Sequence, residues 1–116
     1  DNGIISLLTL NAESALLENM VAMELMRRYG QDNHVFFYND KVEVDFYIPE
    51  TSTAIQVSMY PHESDETWRR ETEALVRMNK HLPCSTHLLL TMNEEDTIII
   101  DDITIHMIPI WKWLLN

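Results

Sequence analysis

The fold is decided by residues 42–58, VEVDFYIPETSTAIQVS, which read as two adjoining β-strands joined by a turn. Side chains alternate between the two faces of a strand, so the even-numbered residues of Val42–Ile48 form one apolar face. In Ala54–Tyr60 the odd-numbered residues do so instead. A hairpin that aligns these apolar faces must also bring the polar side chains of both strands together. They are Glu43, Asp45, Gln56 and Ser58. Such a cluster is either a reaction centre or the remains of one.

Length and composition predict one domain spanning residues 1–116. With 46% hydrophobic residues the chain can bury a sufficient core. No apolar run approaches the roughly 20 residues that a membrane-spanning helix needs, and no signal peptide is visible. A lone cysteine, Cys84, rules out a disulfide framework and suits a reducing cytosol. Because the sequence opens at Asp1 without a methionine, we expect it to be an excised part of a larger protein.

The charge argues against nucleic acid as a partner of the isolated chain. Eight lysines and arginines stand against 19 acidic residues, which gives a formal net charge of −11. Nucleic-acid affinity depends on neutralising phosphates with Lys and Arg. We therefore expect the chain to repel DNA unless a metal ion or another domain supplies positive charge.

The first helix carries a carboxylate in an unexpected place. Residues 1–10 are apolar and favour β-structure, whereas Asn11 is a suitable N-cap for a helix that runs to Tyr29 and ends before Gly30. On that helix Glu13, Glu24 and Arg28 define the solvated face. Glu18 falls on the opposite, apolar face, where it must find a partner, take up a proton or bind a metal ion.

The remaining elements follow from periodicity and end signals. A strand is predicted over His34–Asn39, with a turn at residues 39–41. Ser64 is a predicted N-cap for a helix through His81, and a strand buried on both faces is predicted over Thr86–Thr91. The apolar line of that helix comprises Trp68, Leu75, Met78 and Leu82.

A hairpin and a short helix close the chain. The hairpin is predicted over Thr97–Ile100 and Ile103–Ile108, and the helix begins with Pro109 and runs to Leu115. The order is αβββαβ followed by the hairpin and the helix. A strand–helix–strand unit of this length implies a right-handed parallel crossover and hence an α/β fold with a mixed sheet.

This order, with an inward Glu and a polar-x-polar pair, matches the arrangement of metal-dependent nucleases. Phosphodiester hydrolysis needs carboxylates to hold Mg²⁺ and a lysine to orient water or stabilise developing charge. The corresponding pattern is Asp followed by Glu-x-Lys. Here Asp45 is followed by Gln56-Val57-Ser58, so a neutral amide replaces the Glu and an uncharged hydroxyl the Lys. We expect an inert relic of the site; the alternative is a Mg²⁺- or Mn²⁺-dependent phosphodiesterase with Glu18, Asp45 and Glu43 as ligands.

Four segments resemble one known family, the endonuclease-like C-terminal domain of unknown function in bacterial, Bacteroidetes-like, AAA-type ATP-binding proteins. They are LLENMVAMELMRRYG (16–30), VEVDF (42–46), AIQVS (54–58) and IHMIPIWKWLL (105–115). The opening DNGI also resembles the Asp-x-Gly that precedes the main helix in that family.

The resemblance implies a restriction-endonuclease-like (PD-(D/E)XK-like) fold. Glu18, Asp45, Gln56 and Ser58 would occupy its active-site positions, where many members carry Ile-Glu-Val-Lys. It also implies an ATPase module upstream as partner, with ATP bound there, since this chain has no phosphate-binding glycine loop. No cofactor is expected within the chain itself, and a homo-oligomer is left open.

Other conspicuous residues have simpler interpretations. The five histidines lack ligand spacing, and Cys84 is expected to be a small loop or core residue. In Trp68-Arg69-Arg70 we expect one packing aromatic and two solvated arginines, which pair with the nearby acids Asp65, Glu66, Glu71 and Glu73. Trp111 and Trp113 are expected to pack on the hairpin, or to mark a docking surface if they are exposed.

Overall fold

The structure is a computed structural model that describes residues 2–30, 36–38, 44–82 and 84–116. Residues 2–11 and 36–38 are described by their secondary structure alone. The helices are α1 (Asn2–Tyr29), α2 (Asp65–His81) and α3 (Ile110–Leu115). The strands are β1 (Phe36–Tyr38), β2 (Val44–Ile48), β3 (Thr53–Val57), β4 (Thr86–Thr91), β5 (Asp96–Ile100) and β6 (Ile103–Pro109).

The described strands form one mixed six-stranded sheet in the order β1-β2-β3-β4-β6-β5. Strands β3, β4 and β6 are parallel, and the outer pairs on both sides are antiparallel. Helix α2 connects β3 to β4, so the predicted parallel crossover is confirmed. The α/β class, the mixed sheet and the predicted element order are likewise confirmed.

The hairpin of β2 and β3 has the predicted register. Phe46 pairs with Ile55 and Tyr47 with Ala54, and the chain turns through residues 49–52 as expected. Strand β3 ends earlier than the predicted Tyr60, because its regular pairing stops at Val57. The ladder nevertheless continues for one step, since the backbone N–H of Ser58 donates to the carbonyl of Leu90 at 2.9 Å. Of the predicted strand Val42–Ile48, the first two residues lie outside the described residues, as does the turn at 39–41.

Helix α1 is longer than the sequence predicted. It begins at Asn2 and extends without a break for 28 residues, so the β-structure expected over residues 1–10 is wrong for the described residues 2–10, and the N-cap at Asn11 is wrong as well. Residues 2–4 of the DNGI segment likewise belong to the helix rather than preceding it. The predicted end is right, because Gly30 follows Tyr29 with a φ of 78° and its N–H closes the helix on the carbonyl of Met26.

Helix α2 begins and ends where its sequence signals predicted. The Ser64 hydroxyl accepts a hydrogen bond of 3.0 Å from the backbone N–H of Thr67, which satisfies one of the free donors of the first turn. Its apolar line is buried at Leu75 and Met78. Trp68 packs partly buried against the same cluster and stacks on the ring of His62, with centroids 4.1 Å apart.

Two hydrophobic clusters cover the sheet, one containing residues of α2 and the other residues of α1 and α3. The strands supply successive residues to different clusters, as Leu89 and Leu90 of β4 do. Strand β4 therefore lies in the middle of the core, as its unbroken leucines predicted.

The terminal hairpin turns at Asp101 and Asp102, both with positive φ, and α3 begins one residue after the predicted Pro109. Trp113 is buried in the cluster that contains Val21 and Leu25 of α1, and Ile108 of the hairpin packs against the same cluster. Trp111 is exposed. None of the helices in the described part of the chain, α1 included, is long and apolar enough to span a membrane.

Candidate functional site

A polar pocket of about 270 Å³ opens where β3 ends, between α1 and α2. Its walls come from the end of β3 and the residues that follow it, from Asp45 on β2, and from one side of each helix. The lining residues are Ser14, Glu18, Asp45, Gln56, Val57, Ser58, Met59, Tyr60, Glu63, Thr67, Arg70 and Glu71. The polar cluster predicted from strand alternation is therefore assembled, with Glu43 lying outside the described residues.

Asp45 and Gln56 are tied together across the two strands. The backbone N–H of Asp45 donates to Oε1 of Gln56 at 3.0 Å, and Oδ2 of Asp45 accepts from the backbone N–H of Val57 at 2.8 Å. Nε2 of Gln56 donates to Oε2 of Glu71. Both polar ends of the Gln56 side chain therefore have partners, which fixes its orientation in the pocket.

Glu71 is the pocket carboxylate that the sequence analysis missed. We expected it to pair with the solvated arginines of α2, and it does lie 3.4 Å from Arg70. The residue is nevertheless only 9% exposed and faces the pocket. A signal for this existed, because Glu71 follows Trp68 by three residues and precedes Leu75 by four, which places it on the apolar line of α2.

Glu18 lies at the pocket rim and not in the core. The sequence placed it on the buried face of α1, but the buried residues of that face are Val21 and Leu25, and Glu18 itself is exposed. Its carboxylate still lines the pocket opposite α2. The helix is thus rotated relative to the prediction, which also brings Arg28 inward from the expected solvated face.

The pocket holds its carboxylates in an unfavourable environment for negative charge. Burial raises the pKa of Asp45 to about 7, with the charges of Glu18 and Glu71 adding to the rise and the hydrogen bond from Val57 opposing it. Partial burial also raises the pKa of Glu18, with Glu71 contributing. A substantial fraction of the Asp45 side chains therefore carries a proton at neutral pH.

Little positive charge balances these acids. Arg70 is the one cationic residue among the lining residues, and its exposed guanidinium is paired with Glu71. Ser58, which stands where the nuclease pattern has lysine, is buried beside the end of β3 and supplies only a hydroxyl. The pocket thus contains no lysine among the residues that line it.

The donor set does not fit a divalent metal ion. Across the described ranges, no three His, Cys, Asp or Glu side chains are grouped so that they could hold a metal. The position that should offer a charged oxygen is taken by Gln56, whose oxygen already accepts from Asp45. Hard cations prefer several carboxylate oxygens pointing at one centre.

The fold and pocket define the class of this chain: an α/β domain with a mixed sheet and a carboxylate-lined pocket at the end of its central hairpin. It belongs to the family described as a domain of unknown function, DUF4143, whose model matches residues 13–113. It is similar to an uncharacterized protein of Methanocaldococcus jannaschii, with 36% identity over 110 residues, which covers 87% of this chain and 24% of that protein. The chain thus spans about a quarter of the relative's length. No solved structure matches the chain significantly.

Proposed function

We propose that this chain is a non-catalytic, nuclease-like accessory domain of a larger AAA-type ATP-binding protein, in which it serves interaction or regulation. Its fold would be of the restriction-endonuclease-like kind, with Glu18, Asp45, Gln56 and Ser58 at the former active-site positions. ATP would bind to the upstream module. The length of the relative, about four times the matched region, supports a multidomain setting.

The observation that carries the proposal is the engagement of Gln56. A nuclease of this type uses a charged carboxylate here as a metal ligand. Gln56 instead bridges the backbone of Asp45 and the carboxylate of Glu71, and it is 9% exposed. The side chain thus stabilises the junction of β2, β3 and α2, a structural role that requires no metal. Ser58, two residues further on, is uncharged where the nuclease pattern has lysine, so the second charge that the reaction needs is missing.

One observation favours the alternative, a divalent-metal phosphodiesterase. Three carboxylates, those of Glu18, Asp45 and Glu71, line the same pocket, and the pKa values of the first two are raised. A bound cation would offset the repulsion among these carboxylates, which adds to the effect of burial on the two pKa values.

Calorimetric titration of Mn²⁺ into the full 116-residue chain separates the two functions. Under our proposal, wild type shows no heat of binding at millimolar Mn²⁺ and cleaves no DNA. The comparison variants are Glu18→Gln and Asp45→Asn, with Glu73→Gln on the outer side of α2 as a matched control. Binding heat that disappears in both pocket variants but persists in the control, together with DNA cleavage by wild type, would establish the phosphodiesterase instead.

A further inference from the structure

Helix α1 has an apolar side that nothing in the described part of the chain covers. Val21 and Leu25 on one side are fully buried against the sheet. On the other side Leu16 is 60% exposed, Met20 40% and Met23 72%. At 100° per residue these three side chains fall within an arc of about 60°, so they form a continuous stripe. We call residues 16, 20 and 23 the α1 stripe.

Two opposite charges flank the α1 stripe symmetrically. Glu13 lies seven residues before Met20 and Arg27 seven residues after it, and both are exposed. The helical angle places each of them within about 60° of Leu16, on the same side as the stripe. At 1.5 Å per residue, each charge is about 10 Å from Met20 along the axis.

We propose that the α1 stripe is the interface with a second copy of this chain, the two α1 helices packing antiparallel about a two-fold axis at Met20. In that arrangement Leu16 of one copy lies nearly level with Met23 of the other. Glu13 of each copy faces Arg27 of the other, so one contact occurs twice, as a two-fold interface requires. A parallel arrangement would place like charges together.

The charges already present on the helix allow this exchange. Arg27 contacts Glu24 of its own helix, with Nη2 2.6 Å from Oε2. Glu24 also accepts from Nε of Arg28 at 2.7 Å, so it keeps a cationic partner if Arg27 turns toward the second copy. Glu13 has no ion pair among the described residues. The interface therefore leaves no carboxylate newly unpaired. It is independent of whether the pocket binds metal.

Sedimentation equilibrium of the 116-residue chain over a concentration series tests the proposal. We expect wild type to form dimers, Met23→Glu to be monomeric, and Ile99→Glu to remain dimeric. Ile99 is a matched control, because it is 70% exposed but lies on β5, at the far edge of the sheet. All the substituted side chains are exposed, so each variant should fold. Circular dichroism and a thermal melt check that it does.

The charge-reversal cycle tests the geometry. Glu13→Arg and Arg27→Glu should each weaken dimerisation at least tenfold, because each brings like charges together twice, and the double variant should recover most of the loss. A wild-type chain that is monomeric at several hundred micromolar would overturn the proposal. A dimer that is insensitive to Met23→Glu, or a double reversal no better than the singles, would overturn it as well.

Discussion

Gln56 accepts a hydrogen bond from the backbone of Asp45 on the neighbouring strand, at 3.0 Å, through the atom that would otherwise face the pocket as a ligand. The carboxylate of Asp45 in turn accepts from the amide that follows Gln56 in sequence, that of Val57. The two residues thus hold β2 and β3 together at the edge of the pocket. Their arrangement makes the pocket a structural junction.

We predict that Gln56→Glu destabilises the chain and that Mn²⁺ reverses the loss. The substitution places a further carboxylate beside Asp45 and Glu71, and it removes the N–H group from which Glu71 accepts a hydrogen bond. Together these changes should lower the free energy of unfolding by about 1–3 kcal/mol. A divalent cation would offset the added charge and restore an oxygen-rich ligand set. Thermal melts with and without millimolar Mn²⁺ measure both effects. The double variant Gln56→Glu with Ser58→Lys should gain less stability from Mn²⁺, because the lysine supplies part of the compensating charge. If Mn²⁺ stabilised Gln56→Glu no more than it stabilises wild type, the prediction would be wrong.

The raised pKa of Asp45 predicts a stability that falls as pH rises. The folded-state pKa of about 7 lies above the ordinary value of 3.8, so the folded chain binds this proton more tightly than the unfolded chain does. That contribution is fully present below about pH 4 and is lost as pH rises through about 7. Each pKa unit corresponds to ~1.4 kcal/mol, so the loss amounts to roughly 2–4 kcal/mol.

Asp45→Asn isolates this contribution. Asn keeps an oxygen for the Val57 amide but never ionises, so the variant should be more stable than wild type at pH 8 by about 1–3 kcal/mol and nearly equal to it at pH 4. Urea denaturation at a series of pH values gives the difference. A constant difference across that range would mean that the carboxyl of Asp45 titrates normally.

The buried Glu71 should control the titration of its neighbours. Glu71→Gln removes a negative charge that raises the pKa of both Asp45 and Glu18, while the amide oxygen can still accept from Gln56. We expect the pKa of both carboxyls to fall, as followed by NMR titration of their side-chain carbons. Glu73→Gln, two residues further along α2 and directed to solvent, should leave both values in place.

Much of the fold could be predicted because local signals and tertiary packing agree. The Ser64 cap fixed the start of α2, and the leucines of β4 marked a strand with packing on both sides. The buried side of helix α1 was harder to predict, because apolar residues surround much of its circumference. Periodicity alone then could not tell the side against the sheet, with Val21, from the exposed side, with Met23.

The site was predicted in part for a similar reason. Strand alternation correctly placed Asp45 and Gln56 together, although Val44 lies in the cluster of Tyr47 and not, as predicted, in that of Phe46. The exposed side of a helix is inferred from the charges along its sequence as well as from apolar spacing, and Glu71 stands next to Arg70 in a run of charges. Its pairing with arginine was right, but its burial depends on how closely α2 packs on the end of β3. The helical spacing of Glu71 indicates the apolar side of α2, but it does not give the depth at which the carboxylate lies.

The turn between β5 and β6 carries strain that can be relieved. Asp101 and Asp102 have φ values of 51° and 66°, as in the type I′ turns that favour Asn-Gly. Asp101→Asn with Asp102→Gly should stabilise the chain by about 0.5–1.5 kcal/mol, because the left-handed conformation becomes easier and two adjacent like charges are removed. Chemical denaturation measures the change. The control variant, Asp65→Asn with Asp96→Gly, removes the same charge at two positions that do not have positive φ. It should not stabilise the chain.

Arg28 connects the two helices that cover one side of the sheet. Its guanidinium lies 4.6 Å above the ring of Trp113, donates to the Trp113 carbonyl at 2.9 Å and contacts Glu24 on its own helix. A half-buried arginine with a cation–π contact and a charged hydrogen bond should contribute about 1–3 kcal/mol, so Arg28→Ala is expected to lose that much in urea denaturation. Arg28→Lys should recover only part, since an ammonium lacks the planar group that stacks on the ring. The preceding residue gives the control: Arg27 has a 70% exposed side chain and, among the described residues, pairs with Glu24 alone, so Arg27→Ala should leave the stability nearly unchanged at protein concentrations where the chain is monomeric. Equal losses in the two alanine variants would show that the contact with Trp113 contributes nothing beyond the surface ion pairs of α1.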